Sequence, residues 1–267
     1  MHLNPKKSLG QHFLNSKHVL EEIVATSDIK KGETVLEIGP GKGVLTEALL
    51  AAGGKVVAVE KDIRAYELLK ERFQKEIAGG SLQLVLGDIL DEKTLGPSIL
   101  ATEYALVANI PYYITGAILE KFLEHGPRPN RMVLLVQKEV ADRIVARDGK
   151  ESILSVSVKA FGNPEMIAKV PPGAFTPPPS VDSAILAIHA ISDRLFSNPG
   201  EKKLSHERFF ALVRAGFAHK RKYLIRNLES MLGREQIERV WKELNLDAKL
   251  RAEDLNVSQW FSIARGS

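Results

Sequence analysis

The chain of 267 residues contains no cysteine, only two tryptophans and few aromatic residues overall. The absence of cysteine excludes disulfide bonds and cysteine-ligated metals, and a reducing compartment is the default expectation. The seven histidines form no close pair at metal-ligand spacing, so we expect neither a zinc site nor another metal cofactor.

No run of the sequence approaches the roughly 20 apolar residues that a membrane-spanning helix requires. Residues 1–20 have neither the apolar core of a signal peptide nor the composition of a transit peptide. We therefore expect a soluble, cytoplasmic protein without a membrane partner. The composition is that of a globular protein, and the net charge of +4 alone says little about a polyanionic partner.

Five short apolar runs alternate with helical patterns in the first half of the chain. The runs lie at residues 34–39, 55–60, 82–88, 104–110 and 131–137. They are rich in Val and Leu without alternating, which is typical of strands buried on both faces of a parallel sheet. This order predicts an open, Rossmann-like α/β sheet. Two further strands, at 165–170 and 184–190, are predicted to flank a proline-rich loop and to close the sheet.

Only helical patterns follow a polar linker that begins near Ser192 and contains an Asn-Pro-Gly turn signal at 198–200. The predicted helices lie at 206–217, 220–232, 234–244 and 257–265. We therefore expect two domains, a cofactor-binding α/β domain with an N-terminal arm at 1–191 and a small all-helical domain at 192–267.

A glycine-rich loop follows the first predicted strand, with the sequence EIGPGKG at residues 37–43. Glycines at a strand-to-helix turn let the backbone approach a ligand closely. The dinucleotide fingerprint G-x-G-x-x-G would require a glycine where Val44 stands. The pattern E-x-G-x-G-x-G instead resembles motif I of S-adenosylmethionine methyltransferases. We predict that Gly39 and Gly41 contact S-adenosylmethionine, and an NAD-dependent oxidoreductase is the alternative.

Two carboxylates end the second and third predicted strands at the same edge of the sheet. Glu60 follows the glycine loop by about 20 residues, where a carboxylate can accept both hydroxyls of a ribose. In methyltransferases an acid at the position of Asp88 commonly accepts a hydrogen bond from the adenine amine of the cofactor. The alternatives are that Glu60 caps the helix beginning at Asp62 and that Asp88 is only a turn residue.

The segment Asn109-Ile110-Pro111-Tyr112 follows the fourth predicted strand, beside the glycine loop. The exocyclic amine of adenine is a poor nucleophile because its lone pair is delocalised into the ring. Two acceptors, the Asn109 side-chain oxygen and the Pro111 carbonyl, can favour a more tetrahedral nitrogen and aim its lone pair at a methyl donor. This pattern predicts methylation of the exocyclic amine of a nucleic-acid base, although Asn and Pro are also common in plain turns.

An aromatic sandwich is predicted around the target base, which must leave its own stack to enter such a pocket. Tyr112 offers one flat face, and stacking of this kind contributes roughly 1–3 kcal/mol per base. Phe175, in the proline-rich loop, is the candidate for the second face because prolines fix a loop at low entropic cost. The alternative is that Phe175 packs beneath the loop as core.

A basic, helical face is predicted in the C-terminal domain between residues 205 and 228. Its candidate RNA-binding residues are Arg214, Lys220, Arg221, Lys222 and Arg226. Lysine and arginine contacts to phosphate supply most non-specific nucleic-acid affinity, so this one-sided charge indicates RNA as the partner. A solvated charged surface is the alternative.

Together these motifs resemble the ribosomal RNA adenine dimethyltransferases, and the resemblance covers nearly the whole chain. The matching segments, in the family's order, are GQHFL at 10–14, EIGPGKG, VEKD, GDIL, NIPYYIT, QKEVADRIVA, FTPPPSVDSA, RAGFAHKRKYLIRNL and RAEDL. The resemblance implies that His12 and Leu14 of the arm contact the cofactor. Position 12 is often Asn in the family, and the Gly-Arg pair that often precedes Leu-Ser-Val is missing before Leu154.

The family further implies transfer of two methyl groups to each of two adjacent adenosines near the 3′ end of small-subunit rRNA. The partner would be that RNA or an immature small ribosomal subunit, and the enzyme is expected to be a monomer. Two alternatives remain at this point. One is a large-subunit rRNA methyltransferase of the erythromycin-resistance type, and the other is a ribosome-assembly factor in which RNA binding is the main role.

Overall fold

The predicted sheet is present, with seven strands, in a computed structural model that describes residues 5–6, 10–96, 103–197 and 203–266. Its strands are β2 Thr34–Ile38, β3 Lys55–Glu60, β4 Leu82–Leu86, β5 Tyr104–Asn109, β6 Arg131–Gln137, β7 Asn163–Val170 and β9 Ser183–His189. A separate two-stranded ribbon pairs β1 Phe13–Leu14 with β8 Phe175–Thr176. The ribbon was not predicted, because a strand of two residues has no periodicity to detect.

The strand order is β4-β3-β2-β5-β6-β9-β7, and neighbours from β4 to β6 run parallel. β9 runs antiparallel to β6, with Val133 opposite Ala187. From β2 the chain proceeds outward through β3 to β4 and then returns to β5 on the other side of β2. The direction of winding therefore reverses between β2 and β5, and open α/β sheets bind ligands at such a point.

Five helices accompany this sheet: α1 Lys17–Ser27, α2 Val44–Ala51, α3 Ile63–Arg72, α4 Gln74–Ala78 and α5 Thr115–Glu120. Ser16 caps α1, because its hydroxyl accepts a hydrogen bond from the Val19 amide at 3.4 Å. Asp62 caps α3 in the same way, through the Arg64 amide at 3.2 Å. Apolar residues of the sheet, α1, α2 and α3 form one buried core.

The chain divides into two compact units, and the second contains residues 142–164 as well as 192–267. Its helices, with α6 beginning in the first unit, are α6 Lys138–Val145, α7 Ile153–Lys159, α8 His206–Gly216, α9 Leu224–Leu232, α10 Arg234–Glu243 and α11 Val257–Gly266. The predicted division at 191/192 places 142–164 in the first domain instead. The difference has a physical cause, since Phe161 stacks on Phe196 and Phe210 of the second unit at centroid distances of 5.2 and 5.9 Å.

The turn predicted at 198–200 lies outside the described residues. None of the helices in the described ranges is long and apolar enough to span a membrane.

Candidate active site

A pocket opens at the point between β2 and β5 where the winding of the sheet reverses. It is lined by the loops that follow β2, β3, β4 and β5 and by the N-terminal arm, which here means residues 10–15. Nine of the predicted catalytic and cofactor-binding residues line it: His12, Leu14, Gly39, Gly41, Glu60, Asp88, Asn109, Pro111 and Tyr112. Phe175 is the one predicted residue of this group that the structure does not bring to the pocket.

Two glycines of the loop, Gly41 and Gly43, lie where a side chain would collide with neighbouring residues. Gly41 has φ +57°, and a Cβ there would lie 3.0 Å from the ring of Phe13 in the arm. Gly43 has φ +77°, and a Cβ there would meet the side chains of Phe73 and Leu69 at 2.6 and 2.7 Å. The absence of a side chain at Gly41 therefore leaves room for Phe13 of the arm. Its absence at Gly43 leaves room for the residues of α3 and its C-terminal end that pack there.

Glu60 is buried at the end of β3 with its carboxylate already oriented. One oxygen accepts the Gly41 amide at 3.0 Å and the other accepts the Asp62 amide at 2.8 Å. Burial raises the pKa of the Glu60 carboxyl. The side chain that caps α3 is that of Asp62, and Glu60 in turn accepts the main-chain amide of this capping residue.

Asp88 also lines the pocket and is paired with a residue that the sequence had not indicated. Lys61 donates to its Oδ2 at 2.7 Å, and the Leu90 amide donates to its Oδ1 at 3.0 Å. The hydrogen bond from Lys61 lowers the pKa of Asp88. The turn interpretation and the binding interpretation are compatible here, since the carboxylate both closes a turn and faces the pocket.

Asn109 ends β5, and the arm determines which way its amide points. The Nδ2 group donates to the main-chain carbonyl of His12 at 3.1 Å. Because a carbonyl only accepts, the nitrogen must face His12, and Oδ1 is left as the acceptor directed elsewhere. The neighbouring carbonyl of Pro111 accepts the Ile114 amide at 3.1 Å and retains a second lone pair.

Tyr112 presents a fixed aromatic face in the pocket. Its hydroxyl shares a hydrogen bond of 2.5 Å with the buried Ser183, and burial raises the pKa of the Tyr112 phenol. The ring that stacks against it is His12, at a centroid distance of 6.0 Å and an interplanar angle of 17°. The prediction of Phe175 as the second face needs correction, because this side chain is only 3% exposed and belongs to the core.

Comparisons with known proteins agree with this geometry. The family model described as ribosomal RNA adenine dimethylase matches residues 2–266. The chain belongs to this family. It is an enzyme, an rRNA adenine dimethyltransferase that depends on S-adenosylmethionine, and the NAD-dependent alternative is wrong.

The family members most like this chain include two curated relatives named ribosomal RNA small subunit methyltransferase A. That of Dehalococcoides mccartyi is 43% identical, over 97% of this chain and 87% of its own. That of Thermosynechococcus vestitus is 38% identical, over 98% and 96%.

Two solved structures share the fold over almost their whole length. A dimethyladenosine transferase from Plasmodium falciparum superposes with a TM-score of 0.78 at 28% identity, covering 94% of this chain and 96% of that one. The 23S rRNA methyltransferase ErmE superposes with a TM-score of 0.74 at 26% identity, covering 95% and 98%.

The pocket chemistry of this dimethylase fits S-adenosylmethionine. The buried Glu60 can accept ribose hydroxyls, and Asp88 can accept an adenine amine. The lining also includes the apolar residues Ile38, Val59 and Ile89. One acid was missed by sequence reasoning, namely Glu37 at the head of the glycine motif. It is buried, its Oε2 has no hydrogen-bond partner among the described residues, and burial raises its pKa to about 8.

In the second unit of the dimethylase, the predicted basic residues are exposed, but they do not form one helix. α8 ends at Gly216 and α9 begins only at Leu224, so Lys220, Arg221 and Lys222 lie in the turn between them. We call residues 218–223 the basic loop. Arg214 is exposed on α8, and Arg226 is exposed on α9, 3.3 Å from Glu229.

A buried asparagine shapes the basic loop from below, and sequence reasoning missed it. Asn227 is 8% exposed, and its Nδ2 group donates to the carbonyls of Gly216 at 2.5 Å and His219 at 3.2 Å. These two bonds tie the end of α8 and the start of the loop to α9. The predicted helix at 220–232 is corrected to Leu224–Leu232, since residues 218–223 form a loop in which the His219 carbonyl accepts bonds from Asn227 and from the Lys222 amide.

Proposed function

We propose that the enzyme transfers two methyl groups to each of two adjacent adenosines near the 3′ end of small-subunit rRNA. The observation that carries the chemistry is the orientation of Asn109, whose Nδ2 is engaged by the His12 carbonyl so that Oδ1 remains an acceptor. Small-subunit RNA is favoured over large-subunit RNA because the curated relatives at 38–43% identity carry the small-subunit name. ErmE, named for 23S rRNA, is 26% identical.

S-adenosylmethionine, held by His12, Leu14, Gly39, Gly41, Glu60 and Asp88, supplies an electrophilic methyl group on a sulfonium. The protein groups do the rest. In the first transfer to an adenosine, Asn109 Oδ1 and the Pro111 carbonyl accept the two amine hydrogens, and in the second transfer one of them accepts the hydrogen that remains. Both arrangements favour a tetrahedral nitrogen and expose its lone pair. Tyr112 supports the base by stacking. No strong base is required, because methyl transfer leaves the nitrogen positively charged, and this cation is acidic enough to lose its proton to water.

In this proposal, the basic loop, Arg214 and Arg226 bind RNA phosphates through a second domain built from 192–267 together with 142–164. The enzyme would act as a monomer on an immature small subunit in the cytoplasm, where ribosomes assemble. The exposed and one-signed charge of the loop supports this role.

The test uses small subunits that lack the modification and radiolabelled S-adenosylmethionine. We expect four methyl groups per subunit and N6,N6-dimethyladenosine on digestion followed by mass spectrometry. Labelling of large-subunit RNA under the same conditions, with the small subunit unlabelled, would refute the assignment. A ribosome-assembly role without need for methylation would be indicated if an Asn109→Ala variant restored normal subunit maturation in cells.

A further inference from the structure

We propose that the N-terminal arm is a positioning element for methyl transfer, in which His12 sets the orientation of the Asn109 amide. This inference rests on the proposed amine-acceptor role of Asn109 and adds to it a residue that acts through Asn109. It concerns the carbonyl and the imidazole of His12, and it is separate from any contact of that side chain with the cofactor.

An asparagine amide has two ends of nearly equal size, so shape alone does not decide which end faces the substrate. A hydrogen bond decides it, and here the bond is Asn109 Nδ2 to His12 O at 3.1 Å. Turning the amide over would place Asn109 Oδ1 against the carbonyl oxygen of His12, and it would present an NH₂ group to the amine of the substrate. Both changes are unfavourable, so the His12 carbonyl selects the orientation that is competent for methyl transfer.

The position of that carbonyl depends on the side chain of the same residue. His12 Nδ1 lies 2.8 Å from the carbonyl of Pro177, which can only accept, so Nδ1 carries the proton and donates. The ring also stacks on Tyr112. His12 therefore connects three parts of the site, namely Asn109 through its main chain, Tyr112 through its ring face and the proline-rich loop through Nδ1.

The arm on either side of His12 is anchored independently. Phe13 and Leu14 pair with Thr176 and Phe175 in the ribbon. Asn15 then donates to Thr176 Oγ1 at 2.7 Å through its side-chain Nδ2 and to the Ala174 carbonyl at 2.9 Å through its main-chain N–H. On the other side, Gln11 Nε2 reaches Asp62 at 3.3 Å.

These anchors explain why Phe175 is buried. It belongs to the strand that holds the arm in place, and its side chain packs in the core beneath that strand. The proline-rich loop would then serve catalysis by fixing the arm, and the arm in turn fixes Asn109. A small displacement of a positioned group can cost on the order of 10²-fold in rate.

The first experiment compares His12→Ala, His12→Asn and His18→Ala in the full chain. Alanine removes the donor to Pro177, whereas asparagine places an amide nitrogen at the same number of bonds from the main chain as Nδ1. His18 is an exposed histidine of α1 and serves as the matched control. Calorimetry gives the S-adenosylmethionine Kd, and single-turnover labelling at saturating cofactor and RNA gives the methyl-transfer rate.

We expect His12→Ala to slow the saturated rate by about 10-fold or more. His12→Asn should restore it to within about 3-fold of wild type, and His18→Ala should leave it unchanged. The ¹⁵N side-chain resonances of Asn109 should shift and broaden in His12→Ala and recover in His12→Asn. A His12→Ala variant that weakens cofactor binding while keeping the saturated rate and the Asn109 resonances would overturn the proposal.

The second experiment combines His12→Ala with Asn109→Ala. If His12 acts through Asn109, the His12→Ala substitution should not lower the residual rate of the Asn109→Ala variant any further. An equal slowing in both backgrounds would contradict the inference, whereas near-wild-type activity of Asn109→Ala alone would contradict the proposed function itself. Should His12→Ala fold poorly, Thr176→Val removes only the hydrogen bond from the Asn15 side chain to Thr176, and it should lower the rate in the wild-type background and not in Asn109→Ala.

Discussion

The active-site pocket and the basic loop differ in how their polar groups are held. In the pocket, the polar groups at Glu60, Asn109 and Tyr112 are each held by a hydrogen bond to a residue from another segment of the chain. In the basic loop, the charged side chains are exposed, and only the main chain beneath them is tied down by Asn227. Chemistry requires fixed groups, whereas attraction to a phosphate backbone requires charge that can adapt.

The strongest test of the pocket side of this comparison is Asn109→Ala. We expect methyl transfer to fall by about 10²–10³-fold, as happens when one preorganised hydrogen-bonding group is removed from an active site. Cofactor affinity, measured by calorimetry, should change by less than about 10-fold. A large loss of affinity with little change in the saturated rate would make Asn109 a binding residue rather than an amine acceptor.

The test of the loop side is replacement of Lys220, Arg221 and Lys222 by alanine together. RNA affinity should fall at low salt, and the slope of log K against log salt should flatten by about one unit for each phosphate that the variant no longer neutralises. The saturated methyl-transfer rate should stay near wild type. A matched triple change at Lys70, Lys75 and Lys93, all exposed in the first unit, is the control, and an equal loss there would show that only net charge matters.

A third test concerns Glu37, the buried acid of the pocket. Its pKa is raised to about 8 in the folded protein from an ordinary 4.5, so the folded state keeps a proton that the unfolded state loses between these pH values. The stability of the wild type should therefore fall as pH rises through this window. Glu37→Gln cannot ionise and should escape that loss.

Thermal melts of the cofactor-free protein between pH 5 and 8.5 measure this difference. The Tm advantage of Glu37→Gln should grow with pH and reach roughly 5 °C or more. Glu67→Gln, at an exposed position of α3, is the control and should show a constant difference. A gap for Glu37→Gln that does not widen with pH would mean that the carboxyl ionises freely in the folded state.

The smallest effect is expected from Tyr112→Phe, which removes the hydroxyl and keeps the ring, so that the contributions of the two groups can be compared. The variant loses the hydrogen bond to Ser183, worth about 1 kcal/mol, while the stacking face remains. The methyl-transfer rate should fall by less than about 5-fold, against about 10-fold or more for Tyr112→Ala. Equal losses in the two variants would show that the hydroxyl, not the ring, is the group that matters.

Sequence patterns predicted most of this architecture because buried parallel strands and glycine turns leave local signatures. The five strands from β2 to β6 and the helical C-terminal segment follow from such patterns, and so does the placement of Asn109 beside the glycine loop. The patterns could not predict the partners of these residues. The Lys61–Asp88 pair, the ribbon between β1 and β8 and the contact of Asn109 with His12 each join segments whose approach only the fold determines.

Two of the errors, at Phe175 and in the segment around Lys220, have a common origin. A proline-rich loop does fix an aromatic residue, but burial at Phe175 is decided by the strand partner across the ribbon, which spacing does not reveal. Likewise, charge density in the segment around Lys220 suggests a helical face. The helix nevertheless ends at Gly216, and the side chain of Asn227, eleven residues later, donates to the Gly216 carbonyl, a contact between distant positions that charge density does not reveal.

The ribbon between the arm and the proline-rich loop has a consequence for the order in which the enzyme is made. His12 and Pro177 are 165 positions apart, so the hydrogen bond between them cannot form before residue 177 has left the ribosome. Contacts of this separation carry a high closure entropy and form late in folding. A growing chain can complete its glycine loop and its first five sheet strands and still lack a working methylation site. The methylation site can be complete only after the loop containing Pro177 has been synthesised and has formed its hydrogen bonds with the arm.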